Sequence, residues 1–107
     1  MSATRPYNAA LKAEVCADLN DLPHGRITQH QDAAHVFTAG LADLEAWFTF
    51  LGGRITHQPA GAGVVLWTLH TQVGEVYAAQ ARVHALALHT DQIDADCADA
   101  VTTLPAA

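Results

Sequence analysis

Serine is almost missing from this chain: Ser2 is the only one, in an end segment (1–6) expected to be mobile, as are residues 105–107. A serine nucleophile held by a base therefore has no candidate. Lysine is as scarce. Lys12 stands alone, on a stretch with helical spacing, so neither a Schiff-base lysine nor a Walker-type phosphate loop is available. The two cysteines, Cys16 and Cys97, have neither zinc nor disulfide-framework spacing, and both fall on apolar helical stripes, where inert thiols belong. No apolar run approaches the roughly 20 residues that span a bilayer. The opening Met-Ser-Ala-Thr-Arg-Pro lacks the apolar core of a secretory signal. These absences predict a reduced, cytoplasmic protein with no membrane partner, and the alanine-rich, lysine-poor composition suggests a GC-rich bacterial genome.

Positive charge is also in short supply, 5 Lys plus Arg against 11 Asp plus Glu, for a net charge of −6. Nonspecific nucleic-acid binding needs clustered cations, so nucleic acid is an unlikely partner. Protonating all seven histidines would carry the formal charge from −6 to +1, so acid pH should alter association. With 107 residues, half of them hydrophobic, the chain should form one domain spanning 1–107 with a true core.

The pattern along the chain predicts an α+β order of helix, strand, helix, three strands, helix. Residues 7–22 carry Tyr7, Leu11, Val15, Leu19 and Leu22 at helical spacing, with Lys12, Glu14, Asp18 and Asp21 opposite. A second helix is expected over 32–51, opened by Asp32 and closed by Gly52-Gly53. Its stripe is Phe37, Leu41, Leu44, Phe48 and Leu51. Val36, Trp47 and Phe50 widen that stripe beyond what one small sheet covers, which points to a homodimer interface at these residues. Two segments open with the same Gly-Arg-Ile-Thr, at 25–28 and 53–56, and each looks like a short strand. Residues 59–63 form a hairpin loop, and 64–73 alternate as a half-buried strand. The alanines of 76–88 suit a helix or a strand; the alternation of Arg82-Val-His-Ala-Leu-Ala-Leu88 favours a strand. Asp91 should cap a last helix bearing Ile93, Cys97, Val101 and Leu104. The sheet is thus expected to be four-stranded and mostly antiparallel, with helices on one face. The expected core is Phe37, Leu41, Leu44, Phe48, Leu51, Trp67 and Leu69.

Strand parity then supplies the candidate site. If Ile27, Ile55, Val65, Trp67, Leu69 and Val83 point inward, the open face holds Arg26, His30, Arg54, His70, Gln72, Gln80, Arg82 and His84, with Thr28, Thr56, Gln58 and Thr68 between them. No acid joins them. Arginine offers a planar fork of donors suited to carboxylate or phosphate, and three of the four arginines converge here. The expectation is a non-catalytic binding or regulatory module for an acidic protein surface or an anionic small molecule, with no cofactor. The blander reading is a solvated sheet face, and a register slip of one residue would dismantle the whole set. His57 should lie in the core or at an edge, and His24, His35 and His89 in solvent. The acidic run Asp91, Asp94, Asp96 and Asp99 lacks the glycine and closing glutamate of a calcium loop; acids in a first helical turn suit the helix dipole.

The strand-helix-three-strand order over residues 26–88 resembles one module of the vicinal oxygen chelate (glyoxalase and bleomycin-resistance) group. That resemblance implies modules paired into a ligand or metal cup, here by dimerisation. It raises the alternative of a metal-dependent enzyme or ligand binder. A divalent transition metal would then sit on His30, His70 and His84, completed by a carboxylate such as Glu75 or one from a second subunit.

Overall fold

A computed structural model describes residues 8–74, 78–93 and 95–101. Asn8 opens the first helix, α1 (Ala9–Asn20), by accepting a hydrogen bond from the backbone N–H of Leu11. Asp21, in the left-handed conformation, closes it. The helix packs the reverse of the way its leucines suggest. Ala9, Ala13 and Ala17 are buried against the sheet, while Leu11, Val15 and Leu19 are 57%, 47% and 78% exposed. Small side chains let the helix axis approach the sheet closely, and the larger aliphatics are left on the outer side. Tyr7 lies outside the described residues.

The expected helix over 32–51 divides in two. Gln31 and Asp32 form a tight turn between β1 (Ile27–His30) and β2 (Ala33–Phe37). The helix proper, α2, runs only from Leu41 to Leu51, and Gly40 rather than Asp32 is its N-cap. Three further strands follow: β3 (Arg54–Gly61), β4 (Val64–Val73) and β5 (Ala79–Leu88). The alternation read in 82–88 therefore reports a strand. The final helix is one short turn, α3 (Ala95–Ala98), with Val101 bridging Ile55 on the edge of β3; Leu104 lies outside the described residues.

The architecture is a small single-domain α+β fold with a five-stranded mixed sheet of order β1-β2-β5-β4-β3. All neighbours pair antiparallel except β2 and β5, which are parallel. The unit β2-α2-β3-β4-β5 is the strand-helix-three-strand order expected from residue 26, but it starts at Ala33; β1 is an added edge strand. α1 and α2 cover one face. Beneath them lie Val36, Leu44, Trp47, Ile55, Leu69, Val73 and Val83, all fully buried. Trp47 also donates its indole N–H to the Pro23 carbonyl at 2.7 Å, fastening α2 to the α1–β1 connection.

Three core and interface expectations change accordingly. Phe37 is not in the core, because β2 is a strand and its register turns Phe37 to the open face, where it is 44% exposed. Leu41, Phe48 and Leu51 only flank the core. Val36 and Trp47 are not surplus: each is 0% exposed within one protomer, so neither can form a dimer surface, and Phe50 alone of that trio is exposed. Among the described residues no helix is long and apolar enough to cross a membrane.

The inverted packing of α1 yields a direct test. Ala13→Leu should destabilise by about 1–3 kcal/mol through overpacking against the sheet. Leu19→Gln, at the most exposed of the three aliphatics, should shift stability by no more than about 0.5 kcal/mol. Denaturant midpoints for the two variants check this; the opposite ranking would mean that the leucine stripe faces the core.

Candidate functional site

The pairing registers assign side chains to faces without ambiguity, because residues directly opposite one another share a face. Thr28 pairs with His35, His35 with Arg82, Arg82 with His70, and His70 with Arg54. These five residues form one row straight across the sheet, on the side away from the helices. The next row holds Phe37, His84, Thr68 and Thr56, and the row on the other side holds His30, Ala33, Gln80 and Gln72. Arg54, His70, Gln72, Gln80, Arg82 and His84 are thus brought together. His30 lies toward the β1 edge, and Arg26 precedes β1, fixed through its carbonyl, which accepts the Phe37 N–H at 2.8 Å. No Asp or Glu occurs at any open-face position of the registers. His57 lies on edge strand β3, exposed, with its ring 4.7 Å from that of Trp67.

Local backbone chemistry sets the tightest part of the row. Gly53 has φ +123°, and a Cβ there would collide with the His70 carbonyl oxygen. Only glycine lets the chain leave α2 and enter β3 this close to β4, which puts Arg54 opposite His70. Two shallow depressions lie on the face. One of about 550 Å³ is lined by Gln72 and Gln80, the other of about 340 Å³ by Thr68 and His84, and Arg54, His70 and Arg82 line both.

Sequence reasoning left one member out. His35, expected in solvent, is half-buried on this face, and its Nδ1 lies 2.9 Å from Nε2 of His84. The other nitrogen of His84 is 3.1 Å from the Thr68 hydroxyl, and Nε2 of His70 is 2.9 Å from the Thr56 hydroxyl. The signal was present in Ala-Ala-His-Val-Phe, a short β-branched and aromatic run ending at Thr38-Ala39-Gly40. It was masked because the same apolar residues also fit a helical period.

The electrostatics follow from cations crowded without counter-charge. Burial, then the charges of His35, His70 and Arg82, pull His84 down to about 4. Burial and the neighbours His30 and Arg82 lower His35; burial with Arg82 and Arg54 lowers His70. All three are therefore mainly neutral near pH 7, and the arginines supply the standing charge. An anion placed on this row would meet charge-assisted donors and would raise the same histidines.

The metal trio does not assemble. His70 is engaged with Thr56, His84 with His35 and Thr68, and His30, on β1, is separated from β4 by the two intervening strands β2 and β5. Among the described residues no group of three or more His, Cys, Asp or Glu side chains could hold a metal ion, and Glu75 lies outside those residues. Cys97 is buried and Cys16 half-buried, and neither forms a disulfide. Burial pushes the Cys16 thiol up, away from the reactive thiolate. No family model, curated protein or solved structure matches the chain. The likeness to the vicinal oxygen chelate module therefore stays one of element order.

Two outcomes are expected. His84 has a folded-state pKa near 4 against about 6.5 when unfolded, so between these values the unfolded chain binds the extra proton. This contribution to stability is complete above about pH 6.5 and is lost as pH falls toward 4. Denaturant midpoints measured from pH 7 to 4.5 should fall, and His84→Gln should flatten the decline. Gly53→Ala should cost about 1–3 kcal/mol through strain at a positive φ, read as a lowered thermal midpoint.

Proposed function

We propose that this chain is a small, non-catalytic binding module of regulatory type. Its open sheet face would hold an anion, a carboxylate or phosphate carried by an acidic protein surface or a small ligand. One observation carries this reading: Arg54, His70 and Arg82 stand side by side on three adjacent strands, and among the described residues no acid shares the face to neutralise them. Arginines on an ordinary solvated face more often lie among carboxylates, particularly in a chain with 11 acids. Here the acids of the described residues sit in helices and turns. Among the described residues Arg82 donates a 3.3 Å hydrogen bond to the Gln80 side-chain carbonyl, a neutral partner that leaves its charge available.

The metal-dependent alternative is less well supported, since its ligand trio is dispersed and two arginines adjoin the position a cation would take. Self-association belongs to the favoured reading, now on the exposed stripe Leu11, Val15 and Leu19 with Phe50 rather than on Val36 and Trp47. Sedimentation at the protomer mass throughout the micromolar range would remove that element.

The decisive experiment replaces both arginines. Arg54→Ala with Arg82→Ala should weaken retention of anionic partners by at least about tenfold, because charge-assisted hydrogen bonds contribute about 1.5–3 kcal/mol each. The circular dichroism spectrum should not change, since Arg54 is exposed and Arg82 only half-buried. Equal recovery of partners by the double variant and the unaltered protein would reduce the face to a solvated surface.

A further inference from the structure

The same face changes character along the strands. Beyond the row of His84 and Thr68, Leu86 pairs with Leu66, and beyond that Leu88 pairs with Val64. Leu86 and Leu88 are 59% and 58% exposed, and their register places them on the face opposite α1 and α2. The sheet face is therefore half basic and half apolar. The boundary is continuous, because the 340 Å³ depression that holds Arg54, His70 and Arg82 reaches Leu66 as well. In the boundary row His84 is already hydrogen-bonded to Thr68, and across to His35 of the neighbouring row, which reduces its demand for water.

We propose that the open face is a binding site for a single-tailed amphiphilic anion. Its head group lies on Arg54, His70 and Arg82, and its tail runs along β4 and β5 over the side chains of Leu66, Leu86 and Leu88. This deepens the anion-binding reading and rests on it. Dimensions support a chain rather than a broad partner surface. The apolar strip is two strands wide, with neighbouring strands about 4.8 Å apart, and its far row, Val64–Leu88, lies about 20 Å from the basic His70–Arg82 row, the reach of one extended chain. Charge decides against an anionic bilayer, which would repel a chain of net charge −6 outside this one patch.

Calorimetric titration of the purified chain with acetate, octanoate and dodecanoate, all below micellar concentration, tests the proposal. Affinity should climb steeply with tail length, about two- to fourfold per methylene, up to the length of the strip. Leu86→Gln with Leu88→Gln should lower dodecanoate affinity at least about tenfold and leave acetate unchanged, while Arg54→Ala with Arg82→Ala weakens both. Acetate and dodecanoate binding alike would overturn the amphiphile and leave the anion reading in place. No carboxylate binding, with inorganic phosphate and an acidic peptide equally silent, would overturn both. Capture by phosphatidylglycerol vesicles without binding of free dodecanoate would assign the face to a membrane surface and reject the proposal. An acidic peptide that binds equally well to the Leu86/Leu88 variant would reject it in favour of a protein partner.

Discussion

The parallel pairing of β2 with β5 is the contact on which the rest of this protein depends. A parallel partner cannot be reached by a hairpin, so the chain between Phe37 and Arg54 must cross over one face. α2 makes that crossing and in doing so buries Leu44 and Trp47 beneath it. The same pairing brings His35 beside Arg82 and Phe37 beside His84 on the opposite face. Thr38 extends the join: its N–H and its hydroxyl both donate to the His84 carbonyl, at 3.0 and 2.9 Å. One strand pairing therefore sets both the core and the candidate site.

The two faces handle polarity differently. Under the helices, apolar contact supplies cohesion and the Trp47 indole finds a backbone carbonyl. Among the described residues the open face carries cations and no acid, so His35, His70 and His84 stay mainly neutral near pH 7 and the arginines face solvent. That arrangement stabilises the isolated fold little. It makes chemical sense if an anion supplies the missing charge, with the exposed leucines beyond it covered at the same time.

Legibility differed from element to element for physical reasons. A period of two is specific to a strand, so β4 and β5 were readable, and face assignment followed from alternation alone: Arg54, His70, Arg82 and His84 were placed without knowledge of the pairing. The repeated Gly-Arg-Ile-Thr marks β1 and β3, which lie at the two opposite edges of the sheet, each with its isoleucine toward the helices. The segment 32–51 defeated the same reasoning. Val36, Phe37, Leu41, Leu44, Phe48 and Leu51 satisfy a helical repeat even though a turn, a strand and a glycine cap intervene. In α1 the pattern gave the correct element and the wrong face, since alanines can be buried as readily as leucines when the helix must lie close.

Outside 32–40, the sequence by itself determined the class of the main elements, the segregation of acids from the sheet face and the parity that gathers the basic residues, because each follows from local periodicity. Tertiary structure alone decided that His35 joins Arg82, that Val36 and Trp47 are interior, and that leucines continue the basic face. Each of these depends on which strands become neighbours. That choice is made by nonlocal pairing and the burial it permits, neither of which a local pattern encodes.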